Sequence, residues 1–236
     1  MRYYLGIDLG GTNIKAGVVD PSGQIVYKDR VKTKAHRKMN DILNDMAFLA
    51  QNVMAGANVT TDQVDAIGIG SPGTPNNMAG TLVYSSNLPF DNAPLRKIVG
   101  EKTNLPVYIE NDANCAAMAE SVAGAAKGVA HSVTVTLGTG IGAGIIINHR
   151  IYSGFNQAAS EFGHTVMVKD GVACSCGRKG CFESYGSATG LIRMTKEAAE
   201  NNPSAILAEV IAENNDVINA KIAFQAMRRG DEAARR

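Results

Sequence analysis

Tyr3-Tyr-Leu-Gly-Ile-Asp8-Leu-Gly10-Gly11-Thr12-Asn13-Ile-Lys15-Ala-Gly-Val-Val-Asp20 is the stretch that decides the fold. Residues 3–9 and 13–20 read as two strands, and Gly10-Gly11-Thr12 joins them in a tight turn. Pro21-Ser22-Gly23 turns the chain again, into a third strand near Gln24 to Thr33, so the opening is an antiparallel meander. Residues 131–153 repeat it: Val133-Thr-Val-Thr-Leu137, then Gly138-Thr139-Gly140, then Ile141-Gly-Ala-Gly-Ile-Ile-Ile147, with a second turn at His149-Arg150. Leu9-Gly10-Gly11 falls on Leu137-Gly138-Thr139 when the two are overlaid. An internal repeat of this kind predicts two similar α/β lobes, each opening on a glycine hairpin. The first, smaller lobe is expected over residues 1–110 and the second over 111–236.

Between the hairpins, Ile42, Leu43, Met46, Leu49, Ala50 and Val53 recur at helical spacing and predict a helix from Met39 to Ala55. Val64 to Gly70 reads as a buried strand, and Ser71 to Ala79 as a loop rich in proline, glycine and asparagine. A helix near Pro94 to Thr103 and a strand over Val107 to Glu110 follow. Asp112 to Ala123, full of alanines, reads as a closely packed helix that Gly124 caps. Beyond the second hairpin the chain reads as helical over Thr189 to Glu200, from Asn202-Pro203-Ser204 to about Ala212, and over Asp216 to Arg228. Gly230-Asp231-Glu232 looks like the start of one more helix, and its lack of a continuation leads us to expect that a C-terminal part is missing.

With 236 residues, 45% of them hydrophobic, the chain can bury a proper core. Its net charge of +1 comes from scattered basic residues, which excludes a nucleic-acid or membrane surface as the main partner. The N-terminus lacks the apolar core of a signal peptide and no apolar run is long enough to span a bilayer. A cytoplasmic, globular protein is the expectation.

Three of the four cysteines lie close together in Cys174-Ser-Cys176-Gly-Arg-Lys-Gly-Cys181-Phe-Glu183, and Glu161-Phe-Gly-His164 precedes them. Cys3His is a standard ligand set for a structural zinc ion, and Gly177 and Gly180 permit the tight turns of such a knuckle. A disulfide that leaves one cysteine over, or simply buried thiols, are the alternatives.

In the first hairpin, Gly10 and Gly11 let backbone N–H groups and the Thr12 hydroxyl approach a phosphate, Asp8 can hold magnesium through water, and Lys15 is in register to reach phosphate. The plain alternative is a hairpin whose glycines serve only the turn; the second glycine hairpin tilts the reading toward two turns that clamp one polyphosphate. Glu110-Asn111-Asp112-Ala113-Asn114 sits where a strand passes into a helix. Asp112 reads equally as a helix N-cap or as the general base for hydroxyl attack on a phosphate.

Taken in order, Asp-x-Gly-Gly-Thr-x-x-Lys, Ser86-Asn87-Leu88, Glu-Asn-Asp-Ala-Asn, Leu-Gly-Thr-Gly-Ile-Gly-Ala-Gly, Glu-x-Gly-His and Cys-x-Cys-Gly-x-x-Gly-Cys-x-Glu resemble the ROK family of repressors and sugar kinases, and within it the bacterial glucokinases. The resemblance implies the two-lobed actin/hexokinase-like (ribonuclease H-like) fold and ATP-dependent phosphorylation of a hexose, glucose first among them, at its 6-hydroxyl. It implies Asp112 as catalytic base and Asn87, Asn111, Asp112, Glu161, His164 and Glu183 around the sugar. Asp8, Gly10, Gly11, Thr12, Asn13, Lys15, Gly138, Thr139 and Gly140 would serve ATP and Mg2+, and His164, Cys174, Cys176 and Cys181 a structural Zn2+. It also implies a homo-oligomer, a dimer or tetramer. A kinase for N-acetylmannosamine, N-acetylglucosamine or fructose, or a non-catalytic sugar-binding regulator, fits the same residues. The lack of a helix-turn-helix segment and the missing adenosine-binding segment that the resemblance implies pull in opposite directions on that last alternative.

Overall fold

The computed structural model describes residues 2–85, 88–201 and 204–235. Its elements in chain order are β1 (Tyr3–Leu9), β2 (Asn13–Val19), β3 (Ile25–Lys32), α1 (Met39–Gly56), β4 (Val64–Ser71), β5 (Thr74–Asn76), β6 (Thr81–Tyr84), β7 (Asp91–Ala93), α2 (Leu95–Thr103), β8 (Val107–Asn111), α3 (Asp112–Ala123), β9 (Ser132–Leu137), β10 (Ile141–Ile147), β11 (Arg150–Ile151), α4 (Glu183–Gly186), α5 (Ala188–Asn201), α6 (Ala205–Glu213) and α7 (Ala220–Arg228). They fall into two compact units, Met1–Thr134 with Gly144–Ala159, and Val135–Ala143 with Ser160–Arg236. These units are defined by compactness, and the lobe boundary near residue 110 is an expectation of another kind.

The first unit holds a five-stranded sheet in the order β3-β2-β1-β4-β8. β1 to β3 form the expected antiparallel meander, and β4 and β8 add on in parallel to β1. Period-two alternation sends Leu5, Ile7 and Leu9 of β1 and Ile14, Ala16 and Val18 of β2 to one face, where they are buried. Ile42, Leu43, Met46, Leu49, Ala50 and Val53 of α1, and Leu95 and Val99 of α2, cover that face and complete the core. At full burial each large aliphatic side chain stabilises the fold by roughly 1.5–3 kcal/mol. Asp8 and Lys15 therefore point to the opposite face, directly across from one another in the register of β1 and β2.

In the second unit, Leu207 and Val210 of α6 pack on Ile222 and Ala226 of α7 in a much smaller cluster. The repeated hairpin is present as a three-stranded sheet in the order β11-β10-β9, and the division between the units runs through β9 and β10.

Four expectations need correction. The 71–79 segment is not all loop: β5 pairs with β6, which pairs with β7, in a small antiparallel sheet. Gly73 and Gly80, at φ of 87° and 71°, supply the left-handed corners that let so short a strand form. The second turn of the later hairpin is Asn148-His149, both left-handed as a two-residue hairpin requires, and Arg150 already belongs to β11. The last described helix begins at Ala220, because Asn215 and Asp216 are left-handed and Asn219 caps the helix through Lys221 N. Gly230-Asp231-Glu232 starts no helix. The buried Asp231 carboxylate instead turns inward and accepts N–H bonds from Leu207 in the first turn of α6 (3.1 Å) and from Ala234 (2.8 Å). Burial raises its pKa, but bonds from Ser204, Ala234, Ala233 and Leu207 outweigh that and hold it below the ordinary value. Ser86, Asn87, Asn202 and Pro203, on which parts of the sequence reading fall, lie outside the described residues. Among the described residues no helix is long and apolar enough to cross a membrane.

Candidate functional site

The parallel register of β1, β4 and β8 brings their carboxyl ends level: Asp8 stands beside Gly70, Gly70 beside Glu110, and Ser71 beside Asn111. Carboxyl ends of parallel strands are where open α/β sheets bind ligands. Gly70 keeps the approach close there. A Cβ at that position would lie 3.3 Å from the Cys115 sulfur and 3.6 Å from the Cα of Asp112, so a side chain there would press on the Cys115 sulfur at the start of α3.

The strand–helix junction takes the N-cap role away from Asp112. Asn111 is the N-cap of α3: its Oδ1 accepts from Ala113 N (2.9 Å) and Asn114 N (3.2 Å), and its Nδ2 donates to Gly73 O (3.3 Å). Asp112 is the first helical residue, and its Oδ1 accepts one bond, from Ala113 N (2.9 Å). Asp112 is exposed by surface area, yet neighbouring protein partly desolvates its carboxyl group. That desolvation raises its pKa, the charge of Asp8 raises it further, and the Ala113 N–H opposes the shift.

Asp8 and Lys15 form an ion pair at 2.8 Å on the exposed face of the sheet. Gly10 N–H donates to Asn13 O (3.0 Å) within its own turn, so it is not among the N–H groups this hairpin offers outward. A Cβ on Gly10 would come within 2.9 Å of that same carbonyl, so the turn itself demands glycine. Thr33, fully buried, takes up the turn's carbonyls, donating its hydroxyl to Gly10 O (2.6 Å) and its N–H to Thr12 O (3.0 Å). In the sequence Thr33 carries no signal of this role beyond being a polar residue at the end of a strand.

In the second unit Gly138 N–H likewise bonds Gly140 O (3.0 Å), while Ala188 N (2.9 Å) and the Thr189 hydroxyl (2.8 Å) hold Gly138 O and Thr139 O. Glu183 lies against this turn: its Oε2 accepts from Ile141 N at 2.8 Å and fills the space beside Gly140 that a Cβ would need. The glycine turn and Glu183 are thus one constellation, which spacing alone did not reveal.

His164, Cys174, Cys176 and Cys181 converge, all four donor atoms lying within 4.8 Å of one another. Cys174 Sγ is 3.5 Å from His164 Nδ1, and Cys176 Sγ is 3.6 Å from Cys181 Sγ. Bond lengths of about 2.3 Å to sulfur and about 2.0–2.1 Å to nitrogen put tetrahedral donors roughly 3.5–3.8 Å apart. The cluster therefore fits a zinc ion, and all four cysteines are free thiols, so no disulfide competes. The Arg178 backbone N–H and guanidinium hold the exposed Cys176 thiol down to about 6, while burial pushes Cys181 up to about 11. His164 turns its other nitrogen, Nε2, toward Glu161 Oε2 at 4.0 Å. Asn87 lies outside the described residues.

A sequence model of the ROK family matches residues 4–236. The chain belongs to the ROK family. It is 38% identical over 203 residues to a glucokinase of Streptomyces coelicolor, a match that covers 86% of this chain and 62% of that protein. This chain therefore spans less than two thirds of that relative's length. A xylose repressor of Caldicellulosiruptor bescii is 32% identical over 231 residues, covering 98% of this chain and 57% of the repressor. The crystal structure of a ROK family glucokinase from Streptomyces griseus, in complex with glucose and AMPPNP, superposes with a TM-score of 0.83 at 35% identity, covering 98% of this chain and 73% of that one. The fold is accordingly the α/β, actin/hexokinase-like one expected from the sequence.

Proposed function

We propose that the protein phosphorylates a hexose from ATP, glucose at its 6-hydroxyl in the first place, with Asp112 as general base. The observation that carries this reading is the Asp112 carboxylate, set at the carboxyl ends of parallel strands with its pKa raised by desolvation and its Oδ2 free of any hydrogen bond among the described residues. Phosphoryl transfer asks little of a protein beyond positioning and a carboxylate within reach of the attacking hydroxyl. Because Oδ1 already accepts the Ala113 N–H, Oδ2 is the more open oxygen for the proton of the hydroxyl. Similarity to a glucokinase crystallised with glucose and AMPPNP supports the choice of substrate and donor.

Asn87, Asn111, Glu161, His164 and Glu183 complete the sugar-binding set in this reading. Asp8 serves Mg2+, and Gly11, Thr12, Asn13, Lys15, Thr139 and Gly140 serve the phosphates, while Gly10 and Gly138, whose N–H groups are spent within their turns, shape the two hairpins. Bound ATP and magnesium supply the transferred phosphoryl group and offset its charge. His164, Cys174, Cys176 and Cys181 would hold a structural zinc ion, and His164, with Nδ1 beside Cys174 Sγ, would keep Nε2 on the side of Glu161. The reading includes lobes over 1–110 and 111–236, a cytoplasmic location and a homo-oligomer.

A coupled assay of the full-length protein, with zinc and magnesium present, tests it. Glucose-dependent ADP production is expected, and its absence would sink the proposal. A panel with N-acetylmannosamine, N-acetylglucosamine and fructose fixes the sugar by catalytic efficiency. A protein whose melting temperature rises with sugar but not with ATP would be a sugar-binding regulator instead.

A further inference from the structure

One carboxylate beside Asp112 has no part in the mechanism above. Glu110, at the end of β8, gathers three N–H donors from three segments. Its Oε1 accepts the backbone N–H of Asn111 (2.9 Å) and Nδ2 of Asn114 (3.0 Å) in the first turn of α3. Its Oε2 accepts Nδ2 of Asn77 (2.8 Å), between β5 and β6. The Oδ1 atoms of both asparagines are buried without a hydrogen-bond partner. Glu110 alone therefore dictates how both amides are turned, since either one reversed would set oxygen against carboxylate oxygen. The far anchor is firm. Arg96 donates Nη2 to Asn77 O (2.5 Å), Nη1 to Met78 O (2.9 Å) and Nε to Val107 O (2.9 Å), which ties the Asn77 segment back to β8.

We propose that Glu110 is a positioning residue for the Asp112 carboxylate. It fixes the Asn111 N–H, Asn111 in turn caps α3, and Asp112 is the first residue of that helix, so the base inherits its place from Glu110 through one peptide unit. A displacement of about 1 Å at a reacting group can cost on the order of 100-fold in rate. The inference rests on the reading of Asp112 as the base.

Steady-state kinetics of Glu110→Ala, Glu110→Gln and Asn77→Ala, each with its melting temperature, test it in the full-length protein. Glu110→Ala should lower kcat roughly 10- to 100-fold while the sugar KM moves by no more than about threefold. Asn77→Ala, which releases only Oε2, should lower kcat by less. Glu110→Gln should stay near the parent, because the Asn77 amide can turn over and offer its unpartnered Oδ1 to the new NH2 group. A parent-like kcat in Glu110→Ala, or in Asn77→Ala should the former not fold, would leave Glu110 a structural anchor and overturn the inference whatever the melting temperatures do. A Glu110→Gln value as low as that of Glu110→Ala would overturn it too, since charge and not hydrogen-bond geometry would then matter. If the parent phosphorylates no hexose, the base assignment fails and this inference falls with it.

Discussion

At the level of single residues, the adjacent pair Asn111 and Asp112 shows where sequence reading stops. Either residue is a good N-cap, and a one-residue difference in where the helix begins decides which side chain is left for chemistry. Asn111 takes the cap, and Asp112 is left with one hydrogen bond and a desolvated carboxylate. Because its pKa lies above the model-peptide value of 3.8, Asp112 stays protonated to a higher pH than an ordinary aspartate. A base must be unprotonated, so the acid limb of kcat/KM, which reports the free enzyme, should lie above that value. Carboxyl-carbon NMR titration measures the same group without turnover, and Asp8→Asn should shift the transition to lower pH by removing a like charge. An unchanged transition would mean that Asp8 does not act on Asp112. Asp112→Asn should cost about 10^2- to 10^4-fold in kcat with the fold intact. Glu110, Thr33 and the contact of Glu183 with Ile141 N were beyond the sequence, because they depend on which backbone groups are left unpaired once the strands are in register.

Elements with a strong period were legible almost to the residue. The α1 helix and the β1–β2 meander carry enough apolar positions on one face that no other assignment buries them. Short elements were not. β5, three residues long in a segment full of proline and asparagine, owes its existence to pairing with β6, which no local pattern records. The α3 helix offers a test at this scale, because its alanine-rich sequence gives little amphipathic drive and leans on its cap. Asn111→Ala should destabilise the protein by about 1 kcal/mol, within a range of about 0.5–2. Asn111→Asp keeps the acceptor for Ala113 and Asn114 and should melt near the parent, although it loses the Nδ2 donor now directed at Gly73 O. If sugar affinity drops in Asn111→Asp at parent-like stability, the amide donor contacts ligand. If stability falls equally in both variants, the cap is not what holds α3.

Over the whole molecule, the distribution of apolar burial is uneven, and that asymmetry explains the cysteine knuckle. The large core belongs to the first unit, while the second has a small cluster between α6 and α7 and a segment from residue 160 to residue 187 with little regular structure. Such a segment cannot offset its own ordering entropy by burial and needs a staple. Zinc binding is worth roughly 10–16 kcal/mol in finger peptides, comparable to the whole stability of a domain. Removing the metal should therefore loosen residues 160–187 while the sheet under α1 stays protected in hydrogen exchange. Thiol counting gives a sharper version. Cys115, the cysteine outside the knuckle, sits against Gly70 with its pKa pushed up to about 12 by burial and by Glu110, Asp112 and Asp8, so it has almost no reactive thiolate. A thiol reagent should find almost no fast cysteine in the metal-loaded protein and three after chelation, Cys174, Cys176 and Cys181, the last only because loosening of residues 160–187 removes the burial that holds its thiol protonated. Four fast thiols on chelation would mean that the first unit opens as well. Three fast thiols before chelation would mean that the cluster holds no metal, and the rigid placement of His164 beside Glu161 would then need another cause.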